Sequence, residues 1–257
     1  MNKIRLFCAI LSLASIVSLT SCDNEPIDSA LNLEDFSNDD GSGNGNGNGN
    51  GNGNASGDYM PLALNNVWYY AFYNSTTVKD YKINAVESIG GVTYYRLNRA
   101  ITSPIETTLF TESDVTVHMR KSNGNYYQRT HVHKEGTSSS PAITIEPFEL
   151  IFLKDYLAVG ESFSQTVNIT TSTTFLGVTN TSTEPTTYKI TIMGKNLSVT
   201  VGDTTFNEVI KVKMEYEDGS FSYDWFAKNV GWIKSEDYDS DVSPQTGGLS
   251  ITDYTLY

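Results

Sequence analysis

Residues 115–133, VTVHMRKSNGNYYQRTHVH, carry the strongest fold signal in the chain. Apolar and polar residues alternate on both sides of the dipeptide Asn123-Gly124, which is typical of a two-residue turn joining two antiparallel strands. If this dipeptide occupies the turn, Ser122 lies opposite Asn125, and the same register extends along both strands. The stretch therefore predicts a β-hairpin whose residue pairs are fixed by its turn.

Similar alternating runs recur along the rest of the chain. They are rich in Val, Ile, Thr and Tyr, and examples are residues 81–86, 188–192 and 209–214. Further turn signals are Gly90-Gly91, Gly194-Lys195 and Asp218-Gly219. One short helix is expected within residues 147–157. The patterns predict an all-β fold, an antiparallel meander that forms a curved sheet, half-barrel or barrel, with a β-sandwich as the alternative.

The N-terminus has the pattern of a bacterial lipoprotein signal peptide. Lys3 and Arg5 precede an apolar run from Leu6 to Leu19, which is too short to span a bilayer core of about 30 Å. The sequence Leu19-Thr20-Ser21-Cys22 follows and resembles a lipobox, in which the cysteine is diacylated and becomes the new N-terminus. We therefore predict that residues 1–21 are removed and that Cys22 carries the lipid anchor to a membrane.

Residues 22–57 predict a flexible tether. Acidic residues crowd its first part, and Gly-Asn repeats run from Gly43 to Asn54. Glycine costs the most backbone entropy to order and asparagine has no apolar surface to bury, so the segment is not expected to fold. A chain of this length has an r.m.s. reach of about 30–36 Å. The remaining residues, 58–257, have the length of a single β-rich globular domain.

Charge and cysteine content exclude several classes of protein. The net charge is −13, and it becomes more negative when Lys3 and Arg5 leave with the signal peptide. Such a surface repels phosphate backbones, so no nucleic-acid partner is expected. Of the two cysteines, Cys8 lies in the signal peptide and Cys22 is the predicted lipidation site. The mature chain then has no thiol for a disulfide, a nucleophile or a metal site, and no cofactor is predicted.

Three segments of the domain resemble motifs of Bacteroidota-type cell-surface lipoproteins. Residues 59–70, YMPLALNNVWYY, are similar to an opening motif YFPL…G..W.Y; residues 199–212, VTVGDTTFNEVIKV, are similar to V.VPAGTF..V.KV; and residues 225–234, WFAKNVGWIK, are similar to WYAKGVGLVK. The chain departs from these motifs at Gly202-Asp203 and at Asn229. The resemblance implies a β-rich fold of half-barrel type and carries over no catalytic residues.

Two further resemblances concern the cellular address. The acidic residues that follow Cys22 are similar to the surface-export signal of Bacteroidota lipoproteins. Asp28-Ser29-Ala30 and Asp203-Thr204-Thr205 resemble the three-residue O-glycosylation sequon of that phylum, which makes Ser29 and Thr204 predicted glycosylation sites. Together these features favour an outer-membrane, outward-facing location over a periplasmic one.

The histidines form one candidate site. The predicted hairpin register places His118, His131 and His133 on one face of the hairpin, with the backbones of His118 and His131 about 7–8 Å apart as diagonal neighbours. Imidazole nitrogens at that spacing can share a metal ion. The alternative is an ordinary solvated face, and Arg120 and Arg129 on the same face disfavour a cation.

Aromatic residues form the second candidate site. Rings on a β-sheet surface can bind sugars, and Trp68, Tyr70, Trp225 and Trp232 are the candidates. The alternative for these residues is core packing. The sequence contains no nucleophile motif, phosphate-binding loop or histidine-centred triad, so enzymatic activity is not predicted. We expect a lipid-anchored, non-catalytic module that binds a glycan or a surface protein or serves structurally; the alternatives are a half-barrel carrier of lipid or acyl ligands and an extracytoplasmic hydrolase.

Overall fold

The computed structural model describes residues 57–99, 110–111 and 114–257. Within these residues, twelve antiparallel strands form a closed barrel in which each strand pairs with its neighbours in sequence and β1 pairs with β12. The strands are β1 (Val67–Phe72), β2 (Val78–Ile89), β3 (Val92–Leu97), β4 (Val115–Ser122), β5 (Asn125–Lys134), β6 (Ala142–Lys154), β7 (Ser162–Phe175), β8 (Val178–Val201), β9 (Thr204–Tyr216), β10 (Phe221–Ala227), β11 (Gly231–Tyr238) and β12 (Gln245–Thr255). The all-β prediction is confirmed, as a barrel closed on itself rather than a half-barrel or a sandwich.

The N-terminal predictions concern a different part of the chain. The predicted signal peptide, residues 1–21, lies outside the described residues, as does the predicted tether except for Gly57. The boundaries proposed for these segments therefore stay predictions. In the described part of the chain, no helix is long and apolar enough to cross a membrane.

The hairpin formed by β4 and β5 has the predicted register. His118 pairs with Arg129, and Ser122 pairs with Asn125. Asn123 and Gly124 have φ values of 51° and 75°, because the turn that matches the twist of two antiparallel strands needs positive φ at both central residues. The turn chemistry therefore determines the pairing of the whole hairpin.

Two local predictions are wrong. Most of residues 147–157 belong to β6, which pairs with β5 over most of its length; the strand pairing overrides the weak helical pattern. Gly194 lies inside β8, at a break in the register with β9, and not in a turn. A Cβ atom at Gly194 would lie 2.9 Å from a terminal methyl of Leu197, so a larger residue there would require the leucine side chain to move.

Large aromatic side chains fill the barrel interior. Phe152 of β6 and Phe226 of β10 come from strands far apart in the barrel wall, and their rings meet at 5.6 Å. Phe226 then stacks on Trp232 at 6.3 Å, and Trp232 contacts Tyr70 at the same distance. These rings place the core inside the barrel and identify the inward side of each strand.

The segment before β1 packs against the end of the barrel at which β1 begins. Tyr59 and Met60 are almost fully buried, and the hydroxyl of Tyr126 accepts a hydrogen bond from the Tyr59 amide at 3.0 Å. The side chain of Asn66 donates to the carbonyl of Pro61 at 2.8 Å and accepts from the amide of Tyr257 at 2.8 Å. The buried side-chain amide of Asn66 therefore joins the start of β1 to Tyr257.

A side chain replaces backbone pairing between β6 and β7. The ladder between these strands covers Ala142–Ile145 and Thr171–Thr174. Farther along, the Gln165 carboxamide accepts a hydrogen bond from the Ile151 amide at 3.0 Å and donates to the Ile151 carbonyl at 2.8 Å. Gln165 thus satisfies both backbone groups that a partner strand would otherwise satisfy.

Replacing Gln165 is expected to weaken this part of the barrel. Gln165→Leu leaves the amide and carbonyl of Ile151 unpaired, and each unsatisfied buried group costs about 1–3 kcal/mol. We expect the free energy of unfolding, measured by urea denaturation, to fall by about 2 kcal/mol. Thr166→Val on the neighbouring exposed position serves as the control and should change it by less than about 0.5 kcal/mol. Equal effects of the two substitutions would contradict this role of Gln165.

Candidate binding surface

Strand β10 has an unusual distribution of side chains. Its sequence is FSYDWFA, and Phe226 points inward because its ring contacts Phe152. Alternation along the strand places Ser222 and Asp224 on the same inward side and places Phe221, Tyr223 and Trp225 on the outward side. The strand therefore turns two polar residues into the barrel and three aromatic rings to its outer surface.

The outward rings form a continuous group with Tyr238 of β11. The rings of Phe221 and Tyr238 stack with centroids 5.0 Å apart. Tyr223 meets Phe221 edge-on at 5.4 Å, and Trp225 follows at 6.2 Å from Tyr223. We call these four residues the outer aromatic stripe. It lies across the middle of the β9–β10–β11 sheet, where β10 is paired on both sides.

Three lysines from the flanking strands lie over the stripe. The ammonium of Lys211 is 4.0 Å from the Tyr223 ring centroid and 4.7 Å from that of Trp225. Lys234 lies 4.9 Å from the Trp225 ring, and Lys213 lies 4.2 Å from the Phe221 ring. An ammonium over an aromatic face contributes about 0.5–1 kcal/mol at an exposed site and about 2 kcal/mol when desolvated. Lysine stems also cover ring surface, which explains why outward rings are so little exposed.

Carboxylates pair with two of these lysines. Lys213 lies 3.2 Å from Glu215 and 3.4 Å from Asp241, and Lys234 lies 2.7 Å from Glu236. The stripe is therefore an aromatic surface edged by both signs of charge. Phe221 and Trp225 are only 6% and 7% exposed, so the surface offers a saccharide the half-buried rings of Tyr223 and Tyr238 together with the charged groups.

The inward side of β10 carries a buried acid. Asp224 is 7% exposed, and Ser222 Oγ donates to its Oδ2 at 2.7 Å. Burial raises the pKa of Asp224 to about 6. The carboxylate of Asp237 adds to this rise, whereas hydrogen bonds from neighbouring side chains oppose it. Asp224 is thus an acid inside a largely aromatic core, on the opposite side of the sheet from the stripe.

The predicted aromatic candidates do not form one site. Trp68 and Tyr70 have 0% exposure, and the Tyr70 hydroxyl donates to the carbonyl of Trp232 at 2.6 Å. Trp232 itself stacks on Phe226 in the interior. These three residues fill the core, because alternation in β1 and the register of β11 turn them inward. Trp225 points to the outer side of the sheet, where Lys211 and Lys234 cover its ring, and it is 7% exposed.

The three histidines lie near each other but have different partners. His118 is buried, with Nε2 3.0 Å from Glu87 and its ring edge-on to Tyr94. His133 is exposed, and its Nδ1 and Nε2 lie 3.0 Å from Thr144 Oγ1 and 3.1 Å from Glu135. Burial lowers the pKa of His131. Among the described residues, no three His, Cys, Asp or Glu side chains converge to hold a metal ion.

The predicted modification sites are placed only in part. Thr204 is exposed at the start of β9, beside the turn at Gly202-Asp203. It lines a small, partly open pocket of about 60 Å³ with Phe206, Ile251 and Tyr254. Cys22 and Ser29 lie outside the described residues. Lipidation and glycosylation at these positions stay predictions.

Sequence patterns identify Trp225 but not Phe221, Tyr223, Lys211 or Asp224. Strand alternation separates the aromatic residues of β10 from Ser222 and Asp224 in the sequence alone. Alternation does not indicate which of the two faces points into the barrel. Hydrophobicity would place the aromatic face inward, whereas in the structure this face points outward. The available signal was the repeat of charged residues between apolar ones in β9, at Lys211 and Lys213, because cross-strand neighbours of outward residues also point outward.

Comparison with known proteins gives one structural match to report. No protein-family model and no curated protein sequence matches the chain. Among solved structures, the chain is similar to the crystal structure of a "putative lipoprotein" from Parabacteroides distasonis ATCC 8503, at 12% identity, with 77% of this chain and 99% of that chain covered and a TM-score of 0.36. A TM-score of this size does not establish a common fold.

Proposed function

We propose that this protein is a lipid-anchored, non-catalytic binding module of the bacterial outer membrane, that it faces outward, and that it recognises a glycan through the outer aromatic stripe. The observation that carries the proposal is the inverted strand β10, which keeps Asp224 inside and turns three aromatic residues outward. Tyr223 is the accessible one of the three, whereas Phe221 and Trp225 are 6% and 7% exposed. Folding favours the reverse arrangement, since burying an acid among aromatic rings costs free energy. Surfaces that depart from the folding optimum in this way are expected at functional sites.

The sequence supports the membrane part of this proposal. The lipobox-like segment ends at Cys22, and the acidic, glycine-rich residues that follow supply a spacer before the barrel. Two acyl chains provide stable anchoring, and a long spacer leaves the outer surface of the barrel accessible to a large ligand. Signal, spacer and binding surface therefore agree with one role.

The two alternative functions have less support. A carrier of acyl chains needs a deep apolar cavity, whereas Phe152, Phe226 and Trp232 contact one another across the interior. A hydrolase needs convergent acids that open to a substrate cleft. Asp224 has a raised pKa, but it is buried beneath the sheet.

The test is a binding screen with the purified full-length protein against neutral and acidic polysaccharides. We expect saturable binding of at least one, and Tyr223→Ala should weaken it about tenfold, which corresponds to about 1.4 kcal/mol. Tyr156→Ala is the matched control, because Tyr156 is an exposed tyrosine between β6 and β7, outside the stripe. Thermal unfolding establishes that both variants are folded. An absence of binding by the wild type, or equal losses in both variants, would contradict the proposal.

A protein partner is the second candidate, and one observation favours it. The turn between β7 and β8 exposes Phe175, Leu176 and Val178 by 41, 82 and 62%. Apolar residues grouped at an exposed tip are typical of a protein contact. Leu176→Asp distinguishes the two surfaces: it should leave saccharide binding unchanged if the stripe is the site, and it should abolish binding of a protein partner if the tip is the site.

A further inference from the structure

We infer that the ligand of the outer aromatic stripe is an acidic polysaccharide and that a carboxylate of the ligand binds between Lys211 and Lys234 beside Trp225. This inference rests on the proposed function, because it names the ligand class of the same surface. Both lysines lie within 5 Å of the Trp225 ring centroid, at 4.7 and 4.9 Å. Two cross-strand neighbours of one residue therefore present two ammonium groups at one ring.

Lys211 has the features of an anion-binding group. It makes no ion pair with any of the residues that the structure describes, in contrast to the paired Lys213 and Lys234. Its ammonium lies over two rings, which attract a cation but accept no conventional hydrogen bond. Its ammonium is therefore not neutralised by a carboxylate of the described residues and can pair with an incoming one.

The electrostatic environment agrees with this role. Burial lowers the pKa of Lys211, and the neighbouring ammonium of Lys234 lowers it further, whereas Glu236 opposes the decrease. A bound anion stabilises the charged form of a half-buried ammonium that lies beside a second ammonium, because an opposite charge at close range favours that form. The chain has a net charge of −13, so a lysine without an ion pair is a positive group on a mostly negative protein. An anionic ligand would complement its charge.

The backbone argues for a saccharide rather than an acidic peptide. Strand β10 is hydrogen-bonded to β9 on one side and to β11 on the other along its length. The surface therefore offers side chains only, and no free strand edge to which an extended peptide could add by backbone pairing. The half-buried rings of Tyr223 and Tyr238, with ammonium groups beside them, suit a polymer that contacts rings through its sugars and bears carboxylates at regular intervals.

Polygalacturonate and its fully methyl-esterified form provide a matched pair of probes, because they differ in charge but share one backbone. Titration of the full-length protein by calorimetry should show binding of polygalacturonate about tenfold tighter or more than of the ester. Binding should weaken between 50 and about 300 mM salt, since screening reduces attraction between partly exposed charges. Lys211→Gln should lower the affinity for polygalacturonate about tenfold.

Lys189→Gln is the control variant, because Lys189 lies on the neighbouring strand β8 and pairs with Glu215 instead of facing Trp225. It should keep at least half of the wild-type affinity. Equal affinity for the ester, or no effect of Lys211→Gln, would overturn the inference. Binding of neutral polysaccharides alone would also overturn it while leaving the proposed function intact, and no binding by any polysaccharide would overturn both.

Discussion

Asp224→Asn is expected to stabilise the protein at neutral pH by about 2–3 kcal/mol, because a shift of one pKa unit corresponds to about 1.4 kcal/mol. The pKa of Asp224 rises from 3.8 to about 6 in the folded state. The protonated carboxyl therefore contributes stability that is fully present below about pH 4 and is lost as the pH rises through about 6. Asparagine keeps an oxygen that accepts from Ser222 and does not ionise.

The measurement is urea denaturation of the wild type and the variant at pH 4, 5, 6 and 7. The difference in free energy of unfolding should be small at pH 4 and should reach its full value near pH 7. Asp203→Asn on the exposed turn between β8 and β9 is the control, because no buried charge is relieved there. A difference that does not vary with pH, or an Asp224→Asn variant less stable than the wild type at pH 7, would refute this account of the interior acid.

Cys22→Ser is expected to abolish lipid attachment completely. Each buried methylene of an acyl chain contributes about 0.8 kcal/mol to membrane binding, so loss of two chains removes the anchor. Mass spectrometry of the native protein should find an N-terminus at Cys22 with acyl chains attached. The variant should retain residues 1–21 and incorporate no labelled palmitate.

Cys8→Ser provides the matched control for this prediction. Cys8 lies within the apolar part of the predicted signal peptide, so its replacement should leave both cleavage and acylation unchanged. Recovery of native protein that begins at Met1 and carries no lipid would show that Cys22 is not a lipidation site. The binding surface on the barrel would still stand, because it depends on β9, β10 and β11 alone.

Turn chemistry allowed the most accurate predictions from sequence. Asn123-Gly124 fixes the pairing of His118 with Arg129 because a two-residue turn leaves one register available. The fold class followed from many such local signals. Closure of the sheet was not predictable, because the pairing of β1 with β12 joins residues such as Val67 and Thr255, and no local pattern reports contacts at that separation.

The candidate site was predictable only in part, for a physical reason. Alternation assigns Phe221, Tyr223 and Trp225 to one face, but hydrophobicity then places that face inward, and in this protein it points outward. For Trp68 and Tyr70 the sequence left surface binding and core packing open, and both residues are fully buried. Lysine stems over the rings and a polar group inside the barrel determine the outcome, and both depend on neighbouring strands.

The pairing of β1 on both sides has a mechanical consequence. Traction from the N-terminal side of the barrel first loads the segment before β1, in which Tyr59 and Met60 are buried, and then reaches β1 at Val67. Inter-strand hydrogen bonds in an antiparallel ladder run perpendicular to the strands. A pull along β1 therefore loads its hydrogen bonds to β2 and β12 in shear. Bonds loaded in shear share the force, whereas bonds that are peeled apart break one after another. Several inter-strand hydrogen bonds must therefore break together before β1 leaves the barrel.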